Sequence, residues 1–374
     1  MFKIRRLPGA LIALSIALAP ALVSAPARAD DAADSLPETV SADILPTPQI
    51  NGVVWDQQVV GDVVYVVGDF TRARPFGSAA GENEVERDNA LAYDINTGEL
   101  LSWAPKTNAP IMSITASSDG SMLYIGGQFT KLNGDNTWYV GAVRPDGTKK
   151  ALRAAANGRV NTVALSADGS TLYLGGTFTQ VNSEARERLA SLDVTTNQLG
   201  SLSETIPDYS VRSIAAEPDG SGIAVGGSFT SVNGSSDPGY GLVIINSDGS
   251  VRENDINKEV RNADLLGGIM DLEADDTGVY GVGYSQNSGQ ANIEGAFKAD
   301  WSSGDLDWLA DCHGDNYDIY PTTDVVYVAG HTHDCTNIGG LSNSYTLYHF
   351  GVAYTNYATG TVAKNPFSGY ANHA

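Results

Sequence analysis

The chain has 374 residues, of which 42% are hydrophobic and 18% are charged, as expected for a protein that buries a core. Its 22 basic residues face 44 acidic residues, which gives a formal net charge of -22. A negative field of this size repels phosphate backbones and anionic lipids, so the charge argues against nucleic acid or an acidic membrane surface as the partner. Length alone leaves the number of domains open, because repeat folds run long.

The first 29 residues have the features of a secretory signal peptide. Lys3, Arg5 and Arg6 precede an apolar stretch, and small residues around Arg28 precede Asp30. The apolar stretch is too short for a membrane anchor, which needs about twenty apolar residues. The sequence therefore predicts export, a short extension over residues 30–49 and a folded domain over residues 50–374.

An internal repeat dominates the rest of the chain. Three close copies of one pattern, Leu-Tyr-Ile-Gly-Gly-x-Phe-Thr in its first form, occur at Leu123–Gly134, Leu172–Asn182 and Ile223–Gly234. Weaker copies begin at Val64, Val279 and Val326. The intervals between copies are 47 to 59 residues, measured between the equivalent glycines of successive copies: Gly68, Gly127, Gly176, Gly227, Gly283 and Gly330. A period near 50 residues is typical of β-propeller blades.

Each repeat unit predicts four short strands, because apolar and polar residues alternate between turn signals. In the second unit the predicted strands are Ile111–Ala116, Met122–Gly127, Tyr139–Val143 and Lys149–Arg153. Asp-Gly pairs at tight turns join the strands, as at Asp119-Gly120. The predicted fold class is therefore all-β: a β-propeller with about six recognisable four-stranded blades.

The paired glycines of the repeat favour a structural role. Glycine within a strand marks a place where another part of the backbone approaches closely. The Phe-Thr that follows predicts an aromatic ring packed between blades and a hydroxyl that holds the next turn. A phosphate-binding role is disfavoured, since no helix with Lys-Ser or Lys-Thr follows the glycines.

The repeat, together with Leu91-Ala92-Tyr93-Asp94 and Thr97–Pro105, resembles the delta-60 repeat β-propeller proteins that actinobacteria secrete. The resemblance runs from about Ile50 to the C-terminus and implies a secreted or cell-surface protein of a Gram-positive actinobacterium. Similar proteins continue beyond the point where this chain stops. Either six blades close the ring, or a seventh closing blade is missing at the C-terminus; the second alternative is favoured.

The last repeat unit holds the candidate site residues. Cys312 and Cys335 predict a disulfide, the usual state of an exported cysteine pair, with a thiolate metal site as the alternative. A bridge between them brings together a candidate set of ligands for a divalent metal ion: His313, Asp315, His331 and His333, with Asp318 nearby. The alternative, which is favoured, is a stapled polar loop whose histidines bind backbone carbonyls.

The sequence predicts no catalytic residues by motif, since there is no nucleophile elbow and no carboxylate pair can be chosen from spacing. The leading hypothesis is a binding or scaffold module for an extracellular glycan, protein or cell-wall component. Its rival is an extracellular enzyme, either a metal-dependent hydrolase that uses the histidine cluster or a glycan-cleaving enzyme with carboxylates in the central channel. Tryptophans such as Trp55 and Trp138 are candidate sugar platforms, although packing between blades is the expected role of most of them.

Overall fold

The computed structural model describes residues 46–286, 293–311, 314–322, 325–330, 351–356 and 362–363. The chain divides into two units, Met1–Glu38 and Thr39–Ala374, and all described residues belong to the second. That unit is built almost entirely of antiparallel strands, which confirms the predicted all-β class. Within the described residues the single helix, α1 (Ile256–Glu259), has four residues.

The strands follow the repeat. The first unit contains β1 (Gln49–Ile50), β2 (Val53–Val60), β3 (Val63–Asp69), β4 (Arg72–Arg74), β5 (Val85–Glu86) and β6 (Ala90–Asp94). The second contains β7 (Ile111–Ala116), β8 (Leu123–Gly127), β9 (Lys131–Leu132), β10 (Asp135–Asn136), β11 (Val140–Val143) and β12 (Lys149–Lys150). The third contains β13 (Val160–Leu165), β14 (Thr171–Gly176), β15 (Gln180–Val181), β16 (Glu184–Ala185) and β17 (Leu189–Asp193).

The fourth unit contains β18 (Val211–Ala216), β19 (Gly222–Gly227) and β20 (Leu242–Asn246), and α1 follows it. The fifth contains β21 (Gly267–Asp275), β22 (Gly278–Ser285), β23 (Gly295–Ala299) and β24 (Leu306–Asp311). The sixth contains β25 (Asn316–Pro321), β26 (Val325–Gly330), β27 (Gly351–Asn356) and β28 (Val362–Ala363).

Each unit forms one main antiparallel sheet, which we number 1 to 6 in chain order. Sheet 1 is β2-β3-β6, sheet 2 is β7-β8-β11-β12, sheet 3 is β13-β14-β17, sheet 4 is β18-β19-β20, sheet 5 is β21-β22-β23-β24 and sheet 6 is β25-β26-β27-β28. The predicted fourth strand is present in sheets 2, 5 and 6. In sheets 1, 3 and 4 a single bridge takes its place: Tyr93 with Leu100, Leu192 with Leu199, and Ile245 with Val251.

The core lies between consecutive sheets. One buried cluster joins Tyr65 and Ala92 of sheet 1 to Ile114 and Ile125 of sheet 2, and further clusters join sheets 2 and 3, 3 and 4, 4 and 5, and 5 and 6. Phe129, Phe178 and Phe229 of the repeat are fully buried in these clusters, which confirms the predicted packing role. Every sheet therefore depends on its neighbours to cover its apolar faces.

The paired glycines bring the backbones close, as predicted. A Cβ on the second glycine, Gly176, would lie 2.1 Å from the carbonyl oxygen of Arg159, and one on Gly227 would lie 2.1 Å from that of Ser210. The first glycine instead receives a branched side chain of the next sheet. The pairs are Gly126 with Val160, Gly175 with Val211, and Gly226 with Ile269. One glycine thus allows close strand pairing and the other allows close sheet packing.

The two ends of the row of sheets are the exposed ones. Val54 on sheet 1 is 39% exposed, whereas Ile111, at the same position of sheet 2, is fully buried. Val59 of sheet 1 and Tyr320 of sheet 6 are also exposed. The outer faces of the first and last sheets therefore retain apolar surface that the interior sheets bury.

Candidate functional site

A β-bulge interrupts the first strand of every main sheet at the same place. The pairing with the second strand shifts between Val54 and Asp56 in sheet 1 and between Ile111 and Ser113 in sheet 2, and equivalent shifts follow in sheets 3 to 6. A bulge leaves one residue outside the ladder and redirects its side chain. These six residues form what we call the bulge row: Trp55, Met112, Asn161, Arg212, Met270 and Tyr317.

The residue after the bulge ties its sheet to the next. The Asp56 carboxylate accepts a hydrogen bond from the Ile114 N–H of sheet 2 at 2.8 Å, and the Ser113 hydroxyl accepts one from the Val163 N–H of sheet 3 at 3.1 Å. Ser213 does the same for the Leu272 N–H at 2.9 Å. The position therefore needs a short side chain with an acceptor oxygen, which explains why Ser, Thr or Asp occupies it in all six sheets.

Carboxylates occupy this position in sheets 1, 5 and 6. Asp56, Asp271 and Asp318 stand where sheets 2, 3 and 4 have Ser113, Thr162 and Ser213. Glu273 lies two residues after Asp271 on the same strand, and a spacing of two puts both side chains on one face. We call Asp56, Asp271, Glu273 and Asp318 the acidic cluster.

Three members of the acidic cluster, Asp56, Asp271 and Glu273, have pKa values above those of free carboxyl groups. Burial raises the pKa of Asp56 to about 6, against hydrogen bonds from Ile114 and Ser113 that lower it. Burial also raises the pKa of Glu273 to about 7, and the charges of Asp318 and Asp56 add to the shift. The pKa of Asp271 is raised well above its usual value by burial and then by Glu273 and Asp318. Part of the cluster is therefore protonated near neutral pH.

The cluster also indicates how the row of sheets is arranged. Asp56 is on the first sheet, Asp318 is on the sixth and Glu273 is on the fifth, yet each charge influences the pKa of another member. Coulomb interactions of this kind act over short distances. The Ile319 N–H of sheet 6 donates a hydrogen bond to the Asp271 carboxylate of sheet 5 at 3.2 Å, so these two first strands are neighbours, and the charge of Asp318 on sheet 6 also raises the pKa of Asp56 on sheet 1.

The bulge row presents side chains of two kinds. Trp55 is 52% exposed and Tyr317 is 44% exposed, so both offer ring faces to a ligand. Met112, Asn161, Arg212 and Met270 are half-buried between them in the row. On a row of this composition, the exposed rings can stack on a sugar, and the amide and guanidinium groups can hydrogen-bond its hydroxyls.

Arg212 is held in place by neutral groups. Its Nε donates a hydrogen bond to the Ser228 hydroxyl at 3.0 Å, and its Nη2 lies 3.4 Å from the Tyr284 hydroxyl. Nη1 lies 3.6 Å from the sulfur of Met270, and the guanidinium carbon sits 5.5 Å from the centre of the Tyr284 ring. Ser228 of its own unit and two side chains of sheet 5 therefore orient Arg212, and no described carboxylate pairs with it.

The predicted ligand set of the last unit falls largely outside the described residues. Cys312, His313, His331, His333 and Cys335 are not described, so the disulfide and the divalent metal site remain predictions. Asp315 is described and half-buried, and it raises the pKa of Tyr317 after burial has done so. Asp318 lies in the acidic cluster, where it influences Asp271. In the part of the chain that the structure describes, no group of three His, Cys, Asp or Glu side chains is arranged to hold a metal ion.

Sequence reasoning missed both the bulge row and the acidic cluster. A signal was present: in the first five units an apolar residue, a variable residue, then Ser, Thr or Asp open the unit, usually with another apolar residue next, as in Ile111-Met112-Ser113-Ile114 and Ile269-Met270-Asp271-Leu272. A search for variation at the second position would have found the bulge row.

A cavity of about 740 Å³ lies at the opposite ends of the strands, between the hairpin turns of sheets 3 and 4. The aspartates that line this cavity accept hydrogen bonds from groups within their own turns. Asp168 accepts hydrogen bonds from Ser166 and Ser170, which lower its pKa to about 2, and Asp219 is held in the same way by Ser221. These bonds stabilise the turns, so the cavity is a weaker candidate than the bulge row.

No known protein-family model matches the chain. A search of curated proteins likewise finds no match. In the described part of the chain, no helix has the length and apolar character needed to cross a membrane. The case for a function therefore rests on the residues of the bulge row and the acidic cluster.

Proposed function

We propose that the six sheets are blades of a β-propeller whose first strands line its centre. Three observations support this: the bulge recurs in every sheet, a buried cluster lies between each consecutive pair, and the acidic cluster draws on sheets 1, 5 and 6. Ring closure would bring the outer faces of sheets 1 and 6 together and cover the apolar surface that both expose. The leader-like residues 1–29 support a secreted or cell-surface location, and the repeat supports a delta-60 relationship.

The proposed function is binding of an extracellular glycan at the bulge row. The observation that carries it is the exposure of Trp55 and Tyr317 on a row that also contains Asn161 and Arg212. Exposed rings on one row offer apolar surface that a partner can cover. Sugar rings have apolar C–H faces that stack on aromatic rings, and polar neighbours give orientation.

A binding assay on immobilised glycans and cell-wall preparations tests this proposal. Trp55→Ala should weaken binding at least about tenfold, the equivalent of ~1.4 kcal/mol, because the loss of a stacking platform removes a central contact. Phe76→Ala is the matched control, since Phe76 is equally exposed but lies between β4 and β5, away from the first strands. Equal affinities for wild type and Trp55→Ala would rule out the bulge row as the binding site.

A second candidate is a glycan-cleaving enzyme that uses the acidic cluster. A carboxyl group with a pKa of about 7, as at Glu273, can donate a proton near neutral pH, which glycoside hydrolysis requires of its general acid. Incubation of the protein with each glycan that it binds separates the two candidates. Binding without new reducing ends supports a binding module; turnover that Glu273→Gln abolishes would replace it with the enzyme.

A further inference from the structure

Arg159 is an unusual side chain in this acidic chain. It immediately precedes β13, and its backbone is fixed because its carbonyl accepts a hydrogen bond from the Thr177 N–H at 2.9 Å. Its side chain, by contrast, forms neither a hydrogen bond nor an ion pair with any described residue, and its Nε is buried. The sequence has 44 acidic residues, yet no described carboxylate pairs with the Arg159 guanidinium.

A second arginine adds to the positive charge at this place. Burial lowers the pKa of Arg159, and the charge of Arg212 lowers it further. Arg212, as described above, has Ser228, Met270 and Tyr284 as partners, none of which is an acid. The Asn161 side chain, two residues after Arg159, donates a hydrogen bond at 2.7 Å to the Val211 carbonyl, which directly precedes Arg212. Sheets 3 and 4 thus hold two arginines at facing first strands, and among the described residues no carboxylate pairs with either guanidinium.

Other half-buried arginines of the described chain are given partners. The Nε of Arg87 and that of Arg186 are buried without a partner, as in Arg159. Each of these two arginines nevertheless donates a hydrogen bond through Nη2, Arg87 to the Leu101 carbonyl and Arg186 to the Gly200 carbonyl. Arg252 pairs with Glu217 at 2.8 Å. The repeat therefore provides partners for a guanidinium at several positions, so the lack of a described partner for the Arg159 guanidinium is specific to that position.

A partly buried charge without a partner destabilises the folded chain. A guanidinium also presents a planar set of N–H donors that fits a carboxylate or a phosphate in a bidentate manner. We propose that Arg159 and Arg212 form a binding site for one anionic group, a carboxylate or a phosphate, carried by the glycan ligand proposed above. The sugar part of this statement rests on the proposed function; the anion part rests on the two arginines.

The chain's own charge limits the size of the anion. A net charge of -22 repels an extended polyanion, whereas a local pair of arginines still attracts a single negative group within a screening distance of ~8 Å. The ligand is accordingly a mostly neutral glycan with an isolated acidic substituent, such as a uronic acid or a sugar phosphate.

Titration calorimetry with four probes tests the inference: glucose, glucuronic acid, glucose 6-phosphate and inorganic phosphate. We expect wild type to bind an acidic sugar at least about tenfold more tightly than glucose, and the better of the two acidic sugars identifies the anion. Arg159→Gln and Arg212→Gln should each remove most of that preference. Arg144→Gln is the matched control, because Arg144 is exposed at the far end of β11.

The outcomes separate the two proposals. If inorganic phosphate binds through Arg159 but no sugar binds, the anion site stands and the glycan function falls. If sugars bind through Trp55 with no preference for the acidic forms, the glycan function stands and the anion site is overturned. If no probe binds wild type, both proposals fail for these ligands and the anion site is rejected.

Thermal unfolding without ligand gives a second readout. A purely structural arginine would lower the melting temperature when removed. A ligand-binding arginine that is unpaired in the free protein should leave the melting temperature of Arg159→Gln unchanged or raised, because the substitution removes an uncompensated charge. A clear fall in the melting temperature, with anion preference intact, would show that Arg159 serves the fold instead.

Discussion

An asparagine just before the first strand fixes the Phe-Thr turn of the repeat. The side-chain oxygen Oδ1 of Asn157 accepts hydrogen bonds from the Thr179 N–H at 2.8 Å and the Gln180 N–H at 3.0 Å. The side-chain Nδ2 of Asn157 donates one to the Thr179 hydroxyl at 2.9 Å. Asn51 and Asn108 make the same contacts in the first two units. The threonine hydroxyl thus holds its turn, as the repeat predicts, but through an asparagine that the repeat pattern did not include.

Replacement of this asparagine should weaken the fold through lost turn hydrogen bonds. Asn157→Ala should cost about 1–2 kcal/mol of unfolding free energy, measured by urea denaturation, because two backbone N–H groups lose their acceptor. Asn157→Asp is the natural control. Sheet 4 already uses Asp208, whose carboxylate accepts from the Thr230 N–H at 2.9 Å. Equal losses for Ala and Asp would contradict the acceptor role.

At the scale of one strand pair, the second glycine of the repeat sets the distance between the first two strands. Gly176→Ala should cost ~2–3 kcal/mol or more, since its Cβ would lie 2.1 Å from a backbone carbonyl that cannot rotate away. Gly169→Asn is a suitable control: Gly169 has open space around it and a φ of +70°, which asparagine tolerates. A melting curve for Gly176→Ala that matches the control would refute this account.

The strand pattern was predictable from sequence because it depends on local alternation. The second unit shows this well, since its predicted first strand, Ile111–Ala116, has the bounds that the structure gives. The fourth strands were predicted too long: Lys149–Arg153 is reduced to Lys149–Lys150, and a bridge replaces the strand in three sheets. An outer strand has one neighbour and buries little, so alternation there says less about pairing.

The candidate site was not predictable in the same way. A bulge breaks the two-residue alternation by one residue, so the periodic pattern places Trp55 in the ladder instead of outside it. The acidic cluster depends on electrostatic interactions between sheets that are far apart in sequence, such as that of Asp318 with Asp56. The acidic cluster leaves no local spacing in the sequence, and the bulge row leaves only the recurring pattern that ends in Ser, Thr or Asp, which a search for alternation does not detect.

At the scale of the whole molecule, the acidic cluster makes stability depend on pH. The folded pKa of Asp56, about 6, and of Glu273, about 7, lie above their ordinary values of 3.8 and 4.5. Stability from these groups is full below the ordinary pKa values and is lost as the pH rises through the folded ones. The melting temperature should therefore fall between pH 5 and pH 8.

A double variant isolates this effect from the general charge. Asp56→Asn with Glu273→Gln should flatten the fall, because neither side chain titrates. Asp119→Asn with Asp168→Asn removes the same number of charges, but both turn aspartates have a pKa of about 2 and remain ionised throughout the interval. The control should keep the wild-type slope. Parallel curves for all three proteins would exclude the cluster as the cause.

The junction between neighbouring sheets has a consequence for how the repeat array can change. Sheets 2, 3 and 4 each offer a glycine to a branched side chain of the following sheet, at Gly126, Gly175 and Gly226. Sheets 1 and 5 have a fully buried valine there, Val67 and Val282. If unit 3 were duplicated, Val160 of the second copy would pack against Gly175 of the first copy, as Val160 now packs against Gly126. Duplication is thus compatible with the packing of units 2 to 4, whereas a copy of unit 1 or unit 5 would present a valine in place of that glycine.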